Sequence, residues 1–148
     1  MSMGQVLGIL AAVGLLSVAV FYIMLFIFAK LTGWNDMARR YRDVALEATP
    51  FRAGSAVLGR HAWSSPPLFI GVDDNGITLR PAFPFWPVFA RMHVPWDAVV
   101  RIERKERMFF DVLELHCGRE QESIVGILPS GAANAIAARW PVKVVPAS

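Results

Sequence analysis

The chain begins with a long uninterrupted apolar segment. Residues 6–29 contain no charged side chain and consist mainly of Leu, Ile, Val, Phe, Ala and Gly. A helix over this segment would be about 36 Å long, enough to cross a hydrocarbon core of roughly 30 Å. A cleaved signal peptide is the alternative, but no Lys or Arg precedes the segment, and residues 26–31 (FIFAKL) lack a small-x-small cleavage pattern. We therefore predict a retained transmembrane helix over residues 5–30.

A second helical pattern follows the break at Thr32 and Gly33. Apolar side chains recur at the spacing of one helical face: Trp34, Met37, Ala38, Tyr41 and Ala45. Pro50 ends the pattern, which predicts a juxtamembrane amphipathic helix over residues 31–49. Its apolar face either lies among the lipid headgroups, where Trp and Tyr are favoured, or packs on the domain that follows.

Beyond residue 50 the hydrophobic period changes from 3.6 to 2. Alternating apolar and polar positions, separated by turn signals, predict six or seven short strands. The sequence DDNG at 73–76 predicts a tight hairpin turn. Ser130 then provides an N-cap, and an apolar stripe predicts a closing helix: Ala133, Ile136, Ala137 and Trp140. We predict a mainly-β domain over residues 50–148, closed by this C-terminal helix.

The most unusual part of this domain is the apolar segment 81–96. It combines prolines, which exclude a central strand, with four aromatic side chains before Ala90: Phe83, Phe85, Trp86 and Phe89. A loop this apolar is not expected to face water without a purpose. Either it inserts into the membrane interface or contacts a partner helix, or it folds back and completes the core.

Charged residues indicate an orientation and exclude one class of partner. Fifteen Lys and Arg against 12 Asp and Glu give a formal net charge of +3, and in residues 101–107 the two signs alternate. Such alternation is typical of a solvated strand and not of a nucleic-acid interface. Basic residues follow the apolar helix and none precedes it, which predicts an outside N-terminus and a cytoplasmic domain. The single cysteine, Cys117, agrees with a reducing compartment.

No catalytic, cofactor or metal site is predicted from motifs. His116 and Cys117 are adjacent on a predicted strand, so their side chains point to opposite faces. Cys117 shares a face with Leu113 and Leu115, which indicates a small core residue. The three histidines have no metal-ligand spacing, the 73–76 turn lacks the later acidic ligands of a calcium loop, and residues 54–59 precede no helix.

Small residues recur near the start of the apolar helix. Gly4, Gly8 and Ala12 are four positions apart and predict a surface for close packing of two helices, either with a second copy or with a membrane-protein partner.

Three stretches resemble known proteins. The sequences ITLRP at 77–81 and VPWDAVVRIE at 94–103 resemble membrane-associated bacterial domains of the pleckstrin-homology-like (PH-like) and GRAM-like type. The sequence GWNDMARRYR at 33–42 resembles a juxtamembrane motif of small single-pass bacterial inner-membrane proteins of uncharacterised function. The resemblance implies a PH-like antiparallel barrel or sandwich and brings no catalytic residues.

These patterns together predict a non-enzymatic interaction module in the bacterial inner membrane. It would bind lipid headgroups or a membrane-protein partner at the cytoplasmic surface. The predicted contact residues come from the amphipathic helix and the apolar segment: Trp34, Arg39, Arg40, Tyr41, Arg42, Phe83, Phe85, Trp86 and Phe89. The alternatives are an accessory subunit of a membrane enzyme complex and an enzyme whose site has no recognisable motif.

Overall fold

The computed structural model describes residues 1–42, 51–58, 63–107, 109–118, 123–140 and 142–144. Within these ranges two helices precede the strands and a third lies near the C-terminal end. The helices are α1 (Met3–Thr32), α2 (Trp34–Arg40) and α3 (Gly131–Arg139), with a short 3-10 turn at Trp96–Ala98. The strands in the described residues are β1 (Phe51–Gly54), β2 (Ala56–Leu58), β3 (Trp63–Ser64), β4 (Leu68–Val72), β5 (Gly76–Pro81), β6 (Met92–Pro95), β7 (Val99–Arg107), β8 (Phe110–Cys117), β9 (Ser123–Ile127) and β10 (Val142–Val144).

Helix α1 is long and apolar enough to cross a membrane, as the sequence predicts. It begins at a capping box, in which Ser2 Oγ accepts a hydrogen bond from the Gln5 backbone N–H and Gln5 Oε1 accepts one from the Ser2 N–H. It ends because Gly33 adopts a left-handed conformation with φ of 71° and donates its N–H to the Lys30 carbonyl.

Helix α2 is shorter than the predicted helix over residues 31–49. It ends at Arg40, and the next two residues pair with the edge strand β6 instead. Arg42 forms an antiparallel bridge with Met92, and the Tyr41 carbonyl accepts a hydrogen bond from the His93 N–H at 3.0 Å. The sheet edge therefore satisfies backbone groups that a longer helix would have used. Residues 43–50 lie outside the described residues.

The strands form two sheets around one buried apolar cluster. The four-stranded sheet has the order β1-β4-β5-β6 and is antiparallel throughout. The six-stranded sheet has the order β10-β7-β8-β9-β2-β3 and is antiparallel except where β10 runs parallel to β7. Ile70 and Leu79 from the first sheet and Ile102, Leu115 and Ile127 from the second belong to the same buried cluster.

Helix α3 closes this domain as predicted. Ser130 Oγ accepts a hydrogen bond from the Ala133 N–H, and Ile136 is fully buried. Just beyond α3, the Trp140 ring stacks on Trp96 with centroids 5.8 Å apart. The structure is thus a mainly-β domain that follows a long apolar helix and is closed by a C-terminal helix. Strand β10, which comes directly after this helix, is an addition to the predicted order.

Candidate functional site

The aromatic loop, residues 82–91, connects β5 to β6 and lies beside the C-terminal half of α1. Its backbone follows successive turns, with hydrogen bonds from the Phe85 N–H to the Ala82 carbonyl and from the Phe89 N–H to the Phe85 carbonyl. Prolines at 84 and 87 lack the N–H that a ladder of strand hydrogen bonds would need. The Phe83–Pro84 peptide bond is cis.

One face of the aromatic loop completes the core between α1 and α2. Phe89 is only 1% exposed, and its ring meets Phe28 and Trp34 edge-on at centroid distances of 6.4 and 5.9 Å. Trp34 is fully buried, and its Nε1 donates a hydrogen bond to the Ala90 carbonyl at 2.7 Å. Both residues were predicted as membrane or partner contacts. Their burial within the chain does not fit direct contact with lipid or a partner.

The aromatic loop also contacts α1 further toward its N-terminal end, and it contacts α2. The half-buried Phe85 ring lies 6.3 Å from Phe21, and the Tyr22 hydroxyl donates to the Pro84 carbonyl at 3.3 Å. On α2, the Asn35 side chain donates to the Val88 carbonyl and accepts from the Ala90 N–H. These contacts fix the loop along roughly two turns of α1.

The other face of the aromatic loop points away from the domain. Phe83 is 78% exposed and Trp86 is 58% exposed. Apolar side chains of α1 near this level are exposed too: Phe21, Ile23, Met24, Phe26 and Ile27. Phe89 therefore completes the core, as one of the two interpretations from the sequence requires, while Phe83 and Trp86 of the same loop are exposed.

Beside the aromatic loop lies an arginine cavity of about 420 Å³. Residues from α2, the stretch after it and the end of the loop line this cavity: Asn35, Ala38, Arg39, Arg42, Ala90 and Arg91. The side chains of Arg39, Arg42 and Arg91 are exposed, and Arg39 makes an ion pair with Asp36 at 3.6 Å that is itself largely exposed. The guanidinium group forms paired hydrogen bonds to phosphate or carboxylate oxygens, so the arginine cavity is suited to an anion.

Arg91 was not among the predicted contact residues. It is the one Lys or Arg within residues 81–96, and that isolation in an apolar segment is the signal that could have identified it. Of the remaining predicted contacts, Arg40 is exposed on α2 but does not line the arginine cavity, and Tyr41 is half-buried against the core.

The predicted helix-packing residues lie apart from the aromatic loop, near the start of α1. Gly4, Gly8 and Ala12 are all exposed, and no described atom lies within 4 Å of where a Cβ on Gly8 would be. This face of α1 is therefore uncovered in the single chain.

The cysteine and the two described histidines, the side chains with the most chemical reactivity, are buried in the domain. Burial raises the pKa of the Cys117 thiol to about 12, so it is protonated at neutral pH. His93 Nδ1 lies 2.8 Å from the Thr78 hydroxyl, within hydrogen-bonding distance. His61 lies outside the described residues. His116 lies close to Glu103 and Glu114, an arrangement that spacing along the sequence did not indicate.

No protein-family model matches the chain, and no curated protein is significantly similar to it in sequence. The architecture therefore defines the class: a β-rich domain with a C-terminal helix, preceded by one helix that is long and apolar enough to cross a membrane.

Proposed function

We propose that this protein is a membrane-tethered module that binds anionic lipid headgroups at the cytoplasmic surface of the bacterial inner membrane. In this proposal α1 crosses the bilayer, the outer face of the aromatic loop enters the interface, and the arginine cavity receives a phosphate-bearing headgroup. The observation that carries the proposal is that the aromatic loop contacts α1 at Tyr22, on the N-terminal side of Lys30, the charged residue near the end of that helix.

The depth of the aromatic loop follows from helix geometry. Tyr22, which holds the loop at Pro84, precedes Lys30 by about 12 Å along the axis of α1. If the Lys30 ammonium group lies among the headgroups, this part of the loop lies at the boundary with the acyl chains, since the headgroup region is only several Å thick. Phe83 and Trp86 would then exchange water for an apolar or interfacial environment, which favours insertion.

The charge of the neighbouring surface supports an anionic lipid as ligand. Arg39, Arg42 and Arg91 line the arginine cavity, and Arg40 extends the basic surface on α2. A basic residue near an anionic leaflet contributes about 1 kcal/mol of attraction. A binding site made from both the loop and α2 would recognise the headgroup, while the aromatic side chains would fix the depth of the loop in the membrane.

The PH-like class belongs to this proposal as well. Two sheets around one core, closed by α3, support it, and the basic residues after α1 support a cytoplasmic domain. The uncovered face at Gly8 supports a second copy or another membrane protein as an additional contact within the bilayer.

The headgroup part of the proposal is tested with full-length protein in vesicles of phosphatidylcholine and phosphatidylglycerol. After mild detergent extraction, the ratio of the two lipids that remain bound is measured. We expect Arg42→Gln and Arg91→Gln each to lower the enrichment of phosphatidylglycerol by up to about fivefold, equivalent to about 1 kcal/mol. Arg104→Gln, an exposed change on β7, is the matched control. Equal enrichment in all four proteins would refute headgroup binding at the arginine cavity.

The depth of the aromatic loop is tested with a fluorescent label on Phe83→Cys in the same vesicles. Cys117 is buried and its thiol pKa is raised to about 12, so it does not compete for the label. The label at 83 should emit as in an apolar medium and be quenched by nitroxide lipids. The control is Phe109→Cys, because Phe109 is exposed beside Ala133 and Asn134 of α3. Water-like emission from both labels would contradict insertion.

A further inference from the structure

Strands β7 and β8 bring two glutamates and a histidine together on one face of the six-stranded sheet. Glu103 and Glu114 are direct cross-strand partners, and His116 lies two residues further along β8 on the same face. The neighbouring residues Ile102 and Leu115 point to the opposite face, into the core. The cluster is therefore separate from the aromatic loop and from the arginine cavity.

The three side chains of this cluster are largely removed from water. The side chains of Glu114 and His116 are 4% and 7% exposed, and that of Glu103 is 13% exposed. Two carboxylates directly opposite each other on adjacent strands destabilise a sheet, and burial increases the cost. A positive charge placed between them would offset both effects.

His116 Nε2 points at both carboxylates. It lies 3.4 Å from Glu103 Oε2 and 3.7 Å from Glu114 Oε2. This nitrogen is buried, and within the described part of the chain no hydrogen bond to it is formed. The Nε2 atom of His116 thus faces the two carboxylates and is available as a ligand.

The separations between the three side chains are close to those of a metal-binding site. Zinc binds imidazole nitrogen and carboxylate oxygen at roughly 2.0–2.2 Å, so two ligands at tetrahedral corners lie about 3.4 Å apart. All three potential ligand atoms lie within 4.8 Å of one another. Arg101 Nε contacts Glu103 through Oε1 at 3.2 Å, which leaves Oε2 directed at His116 and orients the carboxylate.

We propose that Glu103, Glu114 and His116 bind a divalent transition-metal ion of the zinc class. An imidazole ligand beside carboxylates favours zinc, manganese or iron over calcium and magnesium, which take oxygen ligands. Three protein ligands leave a further coordination position, and the partial exposure of Glu103 provides the access. The bound ion would link β7 to β8 and neutralise the paired glutamates.

The experiment uses untagged full-length protein in detergent, treated with a chelator and then titrated with Zn²⁺ against a chromophoric competitor. Wild type should bind one equivalent. His116→Gln and Glu103→Gln should each lower the affinity at least about tenfold through loss of a ligand. Co²⁺ in place of Zn²⁺ should give the visible absorption of a four-coordinate ion with nitrogen and oxygen ligands, and this absorption should be lost in both variants.

The matched control is His93→Gln, which alters another buried histidine, one that faces Thr78 and lies outside the cluster. It should keep the affinity of wild type. Zn²⁺ should also raise the melting temperature of wild type and of His93→Gln but not of His116→Gln.

No stoichiometric binding by wild type would overturn the proposal. The same Zn²⁺ affinity in wild type, His116→Gln and Glu103→Gln would also overturn it. Glu103 is the most exposed of the three side chains, so Glu103→Gln keeps the test decisive if His116→Gln fails to fold. The outcome is independent of lipid binding, because the lipid experiments change residues of the arginine cavity and the aromatic loop.

Discussion

Replacing Phe89 with Ala should be among the most destabilising single changes in the aromatic loop. The ring of Phe89 is buried where the loop meets both helices, against Phe28 and Trp34. Truncating a fully buried Phe to Ala costs about 3–5 kcal/mol. Each edge-on aromatic pair adds about 0.5–1.5 kcal/mol beyond area burial, and two such pairs are lost here, so we expect the upper half of the range.

This loss is measured as the melting temperature of full-length protein in detergent, followed by near-ultraviolet circular dichroism. For a domain of this size, 1 kcal/mol corresponds to about 4–8 °C, so a loss of about 4 kcal/mol or more should make Phe89→Ala melt at least about 16 °C below wild type. Trp86→Ala is the control within the same loop, because its ring is mostly exposed. It should change the melting temperature by only a few degrees.

Equal melting temperatures of Phe89→Ala and Trp86→Ala would contradict this prediction. An equal large decrease would show that the ring of Trp86 is as buried as that of Phe89. An equal small decrease would show that the loop does not complete the core, and the division of the loop into an inner and an outer face would then be wrong.

Two glycines yield further predictions. Gly76→Ala should destabilise the domain by about 1–3 kcal/mol, since a Cβ there would lie 2.2 Å from the Val94 carbonyl oxygen; Gly131→Ala, whose Cβ would meet the flexible side chain of Arg52, should change the melting temperature little. Gly8→Leu should lower energy transfer between labelled copies in vesicles while leaving the fold intact, if the small-residue face packs against a second copy. Gly14→Leu places the same bulk on a different, equally open face, and an equal effect of both variants would argue against a specific surface.

The accuracy of the sequence predictions depends on how local the determining forces are. The ends of α1 lie within two residues of the prediction, because the apolar segment and the Gly33 break are both local features. The end of α2 could not be predicted in the same way. Tyr41 and Arg42 leave the helix to pair with Met92 and His93, which lie some fifty residues further along the chain.

In strand β7, a single irregular residue limits how well the sequence predicts which side chains are buried. Alternation along the sequence places Val100 and Ile102 on one face, but a register shift between Val99 and Arg101 intervenes. As a result Val99 and Ile102 are both buried while Val100 is exposed. An irregularity of this kind depends on the partner strand and leaves the local hydrophobic pattern unchanged.

The β7–β8 cluster depends on pairing in the same way. Alternation along β8 correctly separates Glu114 and His116, which lie beside Glu103, from Leu115 and Cys117, which belong to the buried apolar cluster. The strand register places Glu103 opposite Glu114. The local pattern predicts neither this pairing nor the burial of the face that carries Glu114 and His116. Spacing motifs describe ligands that lie close together in sequence on one element. A site shared by two strands therefore cannot be recognised from such motifs.

The structure also bears on how the outer face of the aromatic loop would reach the membrane. Phe85 and Phe89 hold the loop against α1, and Tyr22 and Asn35 fix its backbone, so Phe83 and Trp86 are presented at a set level of the helix. A loop ordered in advance loses less conformational freedom on contact than a free one, and more of the transfer free energy of its exposed rings is then available for binding. Core packing and membrane contact would therefore be coupled. Loosening the inner face at Phe89 should weaken contact by Phe83, even though Phe89 itself does not meet the lipid.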